Sequence, residues 1–184
     1  MEIKEYQTTC NGLADIMFDR FIDYSDHPPE QKLYLTDDNA LVLPQDNIVA
    51  FLFGEDPAGC AKAFEGKRAK PYIRVGNSHV FIKESVAPFT RDGKPIKFDS
   101  FDDSDLWYIK ESSGRTKQGA RSIKQEVKPR PVLRLPWSLK FTIILVKNEL
   151  IDETKLYNWF VSGGIQIGFG TYRPRYGRFN VEME

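Results

Sequence analysis

Residues 162–184 read S-G-G-I-Q-I-G-F-G-T-Y-R-P-R-Y-G-R-F-N-V-E-M-E, and the predicted fold is built around this stretch. Five glycines, three arginines and four aromatic residues fall within residues 163–179. Glycine permits positive φ and close backbone approach, arginine offers a planar fork to phosphate, and an aromatic ring offers a stacking face. The mixture is typical of a nucleic-acid surface. It also fits a structural interpretation, in which Gly163 and Gly164 end a helix and the later glycines form turns.

A strand and a helix are predicted immediately before this stretch. Residues 131–146 are nearly continuously apolar after Trp137 and rich in β-branched residues, which predicts a central strand. Residues 152–161 predict an amphipathic helix with acids in its first turn. Residues 165–167 and 178–183 bracket the glycine-rich loop as strand segments. The succession of strand, helix, glycines and strand is a split β-α-β half.

The first half of the chain supplies weaker signals for the remaining elements. Residues 2–9 carry β-formers in loose alternation and predict a first strand. Residues 32–44 and 72–83 each contain two short apolar runs about a polar turn, which predicts two hairpins. A helix is predicted from residue 48 towards residue 64, broken at its glycines and proline.

Residues 88–130 differ in character from the rest of the chain. An acidic run at residues 99–105 is followed by residues 110–130, which hold 7 basic and 2 acidic residues with almost no apolar periodicity. Such a tract is a poor core segment, so the sequence predicts a flexible inserted arm. Trp107 and Tyr108 stand beside it and place aromatic rings next to basic charge.

The formal net charge is zero, but the charge is unevenly divided. Residues 1–66 hold 4 Lys/Arg against 13 Asp/Glu, a net charge of −9, and residues 67–184 carry the balancing +9. This asymmetry indicates either a basic face for a polyanion or head-to-tail self-association of unlike faces. Within the acidic half, Asp15, Asp19 and Asp23 stand four residues apart. On one helical face they would repel and require a cation or a partner's arginines opposite, and we favour the interpretation that they form a solvated acidic edge.

Composition also bears on the compartment and the cofactors. No apolar run approaches the eighteen or so residues needed to span a bilayer, and the first residues lack the apolar segment of a secretory signal. We therefore expect a cytoplasmic protein with no membrane partner. Cys10 and Cys60 are too few and too far apart for a disulfide scaffold or a zinc cluster, so we expect reduced, half-buried thiols, no metal and no cofactor.

No catalytic motif emerges from the sequence. The glycines of the C-terminal stretch do not form the phosphate-cradling G-x-x-x-x-G-K-S/T pattern. The acids do not single out a pair for hydrolysis, and the two histidines have no local support for a nucleophilic triad. We therefore expect a non-catalytic protein.

The C-terminal order of elements resembles the RAMP proteins, the ferredoxin-like RNA-binding subunits of CRISPR effector complexes, and especially the backbone subunit that polymerises along the guide. The resemblance rests on residues 141–146, 152–161, 163–178 and 179–183. The front of the chain is compatible, since Leu43-Pro44-Gln45-Asp46-Asn47 is similar to the turn by which this family often enters its first helix. The resemblance implies an α+β, ferredoxin-like (RRM-like) fold: an antiparallel sheet with helices on one face and a large inserted region.

A second resemblance concerns the loop itself. The run Gly168-Phe169-Gly170-Thr171-Tyr172-Arg173-Pro174, followed by Gly177-Arg178-Phe179, is similar to the ends of small phage-encoded proteins of this kind. Two features depart from the processing endonucleases of the superfamily, because a clear catalytic histidine and the dense G-x-G-x-x-G run are missing. The resemblance therefore implies one domain over residues 1–184 that binds nucleic acid without cleaving it, with residues 88–130 as its inserted arm.

We therefore expect the protein to bind single-stranded RNA or DNA, with RNA the preferred hypothesis. We also expect it to act as a homo-oligomer or as a subunit of a larger ribonucleoprotein. Arginines would neutralise phosphates, tyrosines would stack on bases, glycine N–H groups would assist, and the basic arm would close over the strand. In the loop the candidate residues are Arg173, Arg175, Arg178, Tyr172, Tyr176, Gly168 and Gly170. In the arm they are Arg115, Lys117, Arg121 and Lys124.

Two alternatives remain open at this point. The acidic front of one copy, Asp15 to Asp26 with Asp37 and Asp38, could dock on the basic back of the next to build a ring or filament without nucleic acid. The protein could also be an inhibitor that mimics a CRISPR subunit and occupies its place.

Overall fold

A computed structural model describes residues 2–23, 27–118 and 122–184, apart from the side chains of residues 114–118 and 122–126. Within these ranges the helices are α1 (Gln45–Phe53), α2 (Cys60–Glu65), α3 (Ala69–His79) and α4 (Glu153–Gln166). The strands are β1 (Ile3–Gly12), β2 (Ile16–Met17), β3 (Val42–Pro44), β4 (Val80–Ile82), β5 (Val86–Arg91), β6 (Lys94–Pro95), β7 (Trp107–Gln118), β8 (Ser122–Leu133), β9 (Ser138–Val146) and β10 (Phe179–Met183).

The strands form two antiparallel sheets. The larger runs in the order β10-β1-β9-β5-β3, with β4 also paired to β9 and β6 to β5. The smaller runs β2-β8-β7. Strand β9 pairs with β1, β4 and β5, so the later part of the predicted strand is central as expected. The single strand predicted over residues 131–146 is divided, however, because residues 131–133 end β8 in the smaller sheet and β9 begins only at Ser138. The architecture is α+β with mostly antiparallel sheets, and it is compatible with the predicted ferredoxin-like fold.

The helices and the larger sheet meet in an aromatic core. Phe51 of α1 and Phe160 of α4 lie with their ring centroids 5.4 Å apart. Phe160 also contacts Phe141 of β9, and Phe51 contacts Phe179 of β10. All four rings are almost fully buried, so they join the last helix and the last strand to the centre of the fold.

Residues 72–83 were predicted as a hairpin, and this prediction is wrong. They form most of α3 and then β4. Ala69, Ile73 and Gly76 are buried on one side of α3 at helical spacing, and a Cβ at Gly76 would collide with the Phe53 ring. The helical face therefore buries these residues against α1, and this packing overrides the turn propensity of Gly76-Asn77-Ser78.

The two glycines predicted to end the last helix lie inside it instead. Helix α4 continues to Gln166, so residues 165–167 are not a strand. A Cβ at Gly163 would stand 2.5 Å from Sγ of Cys60, and a Cβ at Gly164 would collide with the Phe179 carbonyl oxygen. Both glycines are thus positions of close packing rather than a helix stop. Cys60 and Cys10 are fully buried, not half-buried as predicted.

The predicted inserted arm divides into two parts in the structure. Its beginning belongs to the larger sheet, because β5 pairs with β3 and β9, and Phe89 and Ile96 are buried. Its basic part forms β7 and β8, a hairpin paired from Trp107↔Leu133 to Gln118↔Ser122. Flexibility of this hairpin stays a prediction.

Arg91, the last residue of β5, fastens the base of this hairpin. Its guanidinium donates three hydrogen bonds to main-chain carbonyls, those of Asp105 (3.2 Å), Arg134 (2.6 Å) and Pro136 (2.9 Å). Asp105 precedes β7 and Arg134 follows β8, so one side chain holds both ends of the hairpin to the larger sheet.

In the part of the chain that the structure describes, no helix is both long enough and apolar enough to cross a bilayer.

Candidate nucleic-acid interface

The loop at residues 167–178 connects α4 to β10 and is anchored by one aromatic side chain. Phe169 is 1 % exposed and stacks on Phe179, with 4.5 Å between the ring centroids and 10° between their planes. Its ring also contacts Phe51 of α1 at 4.9 Å. Phe169 therefore anchors the loop against α1 and β10.

Two of the candidate glycines have structural reasons to be glycine. Gly170 has φ +77°, and a Cβ there would collide with the Met17 carbonyl oxygen of β2. Gly168 has φ +76° and its N–H donates to the Gly163 carbonyl oxygen at 2.9 Å. That N–H group is engaged within the fold, so it cannot assist phosphate binding as predicted. The N–H of Gly170 has no protein acceptor among the described residues.

Arg173 occupies a different environment from the other two arginines of the loop. It is half-buried, and its Nη1 donates to the Gly168 carbonyl oxygen at 3.3 Å, just beyond the C-terminus of α4. Burial lowers the pKa of its guanidinium below the usual range. The side chain lines a cleft of about 400 Å³ between the Pro57-Ala58 turn and residues 170–174. It therefore combines a capping role at a helix end with access to a surface cleft.

Arg175 and Arg178 are exposed. Within the described part of the chain, neither guanidinium has a hydrogen bond or an ion pair. Their side chains keep all their donors for solvent or for a ligand. The structure thus separates the three predicted arginines into one half-buried and two free residues.

Tyr172 joins the loop to the hairpin. Its hydroxyl donates to the Ser113 carbonyl oxygen of β7, and its ring lies 5.3 Å from the guanidinium carbon of Arg130 on β8. Arg130 is 5 % exposed and is held by Asp19, with 2.7 Å between Nε and Oδ2. It also donates to the Ser112 side chain and carbonyl. The two predicted nucleic-acid segments are therefore in contact, with Tyr172 and Arg130 between them.

Tyr176 makes a second connection to the hairpin. Its hydroxyl interacts with that of Tyr108 on β7, which also donates to Asp15 Oδ2 at 3.3 Å. Burial raises the pKa of Tyr108, and the neighbouring Tyr176 and Asp15 raise it further. Arg134 covers the Tyr108 ring, with its guanidinium carbon 4.5 Å from the ring centroid. Both candidate tyrosines thus help to build the surface, and base stacking by them stays a prediction.

The candidate residues of the arm are only partly described. The backbones of Arg115, Lys117 and Lys124 lie in the hairpin, where Arg115 pairs with Gln125 and Lys117 with Ile123. Their side chains, and the whole of Arg121, lie outside the described residues.

Sequence reasoning missed the acids that hold this surface together. Asp15 accepts the Leu135 N–H on Oδ1 at 2.9 Å, and its main-chain oxygen accepts the Gly177 N–H at 2.8 Å. Asp19 pairs with Arg130. The interpretation of Asp15 and Asp19 as a solvated acidic edge is therefore wrong. Their spacing of four residues was the available signal, but nothing in the sequence identified Arg130 or Tyr108 as partners.

Comparison with known proteins agrees with this fold. No protein-family model matches the chain, and no curated protein sequence matches it. Among solved structures, a chain of the cryo-EM structure of the Type III-B Cmr-beta bound to cognate target RNA superposes with a TM-score of 0.57 at 12% sequence identity. The match covers 100% of this chain and 60% of that chain. This protein thus shares its fold with part of a longer chain of that structure.

Proposed function

We propose that the protein binds single-stranded RNA on a loop–hairpin surface, defined as residues 172–178 of the loop with residues 108–113 of β7. One observation carries this proposal: Tyr172 places the Gly/Arg loop directly on the basic hairpin, through the Ser113 carbonyl oxygen and the Arg130 guanidinium. Two segments that the sequence marks separately for nucleic acid, about sixty residues apart, therefore form one continuous surface.

The chemistry of this surface suits a single strand. Arg175 and Arg178 present unengaged guanidinium groups, the groups best shaped to bind phosphate, and Lys110 is exposed on the adjacent strand. Tyr172 is 41% exposed and offers part of its ring beside these cations. Cationic groups that follow the backbone, with aromatic faces for the bases, are the usual means of binding a strand without reading its sequence.

The structural neighbour supports the choice of RNA, because that structure is bound to its target RNA. On this basis we propose that the protein is a ferredoxin-like RAMP relative, non-catalytic and cytoplasmic. It would act as a backbone-type CRISPR subunit or as a phage-encoded relative of one, assembling along its ligand.

Assembly without nucleic acid, including inhibition by subunit mimicry, is the second candidate. It uses the charge difference between the two halves of the chain. The internal bonds of Asp15 and Asp19 remove two of the acids that such docking would use. Measurement of the solution mass separates the candidates: RNA-dependent growth supports the first, and constitutive assembly without RNA supports the second.

The variant Arg175→Gln/Arg178→Gln tests the location of the RNA site. We expect affinity for a single-stranded RNA to fall about tenfold or more at low salt. The slope of log affinity against log salt should become shallower by about 1.4, because each phosphate contact on a single strand contributes about 0.7. Fluorescence anisotropy with a labelled oligonucleotide measures both quantities.

The matched control is Arg68→Gln/Arg74→Gln, which removes the same charge from exposed positions at and just before α3. It should retain most of the affinity and the full salt slope. Equal losses in the two variants would show that binding depends on net charge alone and would contradict the proposed site. Arg173 is left in place because its contact with Gly168 makes a change there partly structural.

A further inference from the structure

The outer edge of β10 presents unpaired main-chain groups. Glu184 and Gln7 exchange both main-chain hydrogen bonds, at 2.8 and 2.9 Å. Hydrogen-bonded pairs alternate along an antiparallel ladder, so Glu182 also bonds to β1. The N–H and C=O groups of Val181 and Met183 consequently point away from β1. Strand β10 ends the larger sheet, and in the described chain no backbone partner meets these groups.

An exposed apolar stripe lies on α4 beside this edge. Tyr157, Val161 and Ile165 are 41%, 37% and 51% exposed and follow one another at intervals of four residues. Gly164 faces β10, because a Cβ there would collide with the Phe179 carbonyl oxygen and ring. At 100° per residue, the stripe lies just outward of Gly164, on the flank of the helix above β10.

The opposite side of the strand is acidic. Glu182 and Glu184 are exposed and, being two residues apart, project from the same face of the sheet. Glu182 accepts a hydrogen bond from the Asn11 amide at 3.2 Å. Neither carboxylate has a cationic partner within the described part of the chain.

From these three features we propose that β10 accepts an extended segment of a partner protein in which apolar and basic residues alternate. The added strand would bond to the main-chain groups of Val181 and Met183. Its apolar side chains would contact the stripe on α4, and its basic side chains would face Glu182 and Glu184. Strand periodicity places the two kinds of residue on opposite faces, as this edge requires. The acids also make the edge unsuitable for nucleic acid, so this surface is independent of the RNA site.

The probe is an acetylated and amidated Lys-Val-Lys-Val-Lys-Val-Lys peptide, titrated into isotopically labelled protein and followed by NMR. We expect saturable shifts centred on β10 and α4, with amide exchange of Val181 and Met183 slowed about tenfold or more in the complex. Saturation without slower exchange at these two amides would indicate charge attraction alone and would overturn the proposal. Absence of binding would overturn it as well.

Charge reversal gives the sharper test. In Glu182→Lys/Glu184→Lys, affinity for the Lys-Val peptide should fall at least tenfold, while a Glu-Val peptide of the same length should gain binding. An unfolded variant could not show such a gain. The control Glu30→Lys/Glu149→Lys makes the same charge change at other exposed positions and should keep the original preference. If the control switches its preference equally, the assignment to β10 is wrong.

The stripe and the rival occupant are tested separately. Val161→Ser/Ile165→Ser should weaken binding of the Lys-Val peptide about tenfold while both glutamates remain, and unchanged affinity would overturn the role of α4.

A second copy of the chain is the main competing occupant. If the protein alone doubles its mass with concentration and protects Val181 and Met183 in doing so, the edge is a self-association surface and the proposal fails.

Discussion

Replacement of Gly177 by alanine is expected to destabilise the protein by about 2–4 kcal/mol, because a left-handed alanine costs about 1 kcal/mol and a forced overlap in a packed interior adds about 1–3 kcal/mol. Gly177 has φ +76°, and a Cβ at this position would overlap the Phe169 carbonyl oxygen. Relief would require movement of the chain around Phe169, whose ring is locked between Phe51 and Phe179. The N–H of Gly177 also donates to the Asp15 carbonyl oxygen. Because Asp15 in turn accepts the Leu135 N–H just after β8, the strain would spread to the base of the hairpin.

Chemical denaturation followed by circular dichroism measures this loss. Gly93→Ala is the matched control, because Gly93 has nearly the same φ, +74°, and nothing lies within 4 Å of its added Cβ. Its free energy of unfolding should fall by only about 1 kcal/mol, the backbone cost of a left-handed alanine. Similar losses at the two positions would show that the loop around Phe169 rearranges easily, and its anchoring by Phe169 would be contradicted.

Arg130→Met is expected to cost about 3 kcal/mol and to weaken RNA binding. Removal of one partner from a buried ion pair leaves the other charge uncompensated, which costs about 3–5 kcal/mol, and we take the low end because Asp19 retains 25% of its side-chain exposure. The Ser112 hydrogen bonds and the cation–π contact with Tyr172 are lost with it. Tyr172 would then keep only its hydrogen bond to Ser113 on the hairpin, although no proposed phosphate contact has been removed.

A double-mutant cycle with Asp19→Asn measures the pair itself. We expect the double variant to be less destabilised than the sum of the two single variants by about 1 kcal/mol or more, because neither unpaired charge remains. Denaturation midpoints and RNA anisotropy are recorded on the same four proteins. Strict additivity would indicate that Asp19 and Arg130 act independently and would contradict a stabilising ion pair between them.

Those parts of the fold with strong local signals could be predicted from the sequence. Strand β9 is nearly continuously apolar because it is covered by neighbours, and that pattern is visible without a structure. Helix α4 begins as expected, with Asp152 as its N-cap accepting the Lys155 N–H at 2.7 Å. Strand β10 and the loop before it follow from the same local order.

Elements whose form depends on distant partners could not be predicted. Gly163 and Gly164 read as a helix stop, yet their contacts with Cys60 and Phe179 make them interior positions of α4. The hairpin of β7 and β8 has no apolar periodicity from which it could be predicted. Its strands are held by cross-strand hydrogen bonds and by the hydrogen bonds of Arg91 at its base.

The candidate site shows the same division. Its arginines and tyrosines were visible in the sequence because their residue types and spacing are local properties. The residues that join loop to hairpin, Asp15, Asp19 and Arg130, belong to contacts that span about a hundred residues or more of chain. Composition alone also could not separate the half-buried Arg173 from the free Arg175 and Arg178.

Binding of single-stranded RNA by this protein is tested most directly by a salt titration of the unmodified protein. Anisotropy of a fluorescein-labelled single-stranded RNA is measured from low to physiological salt, with the same sequence as a duplex for comparison. We expect saturable binding to the single strand, with log affinity falling linearly as log salt rises. A folded protein that leaves the single strand unbound at low salt would contradict it.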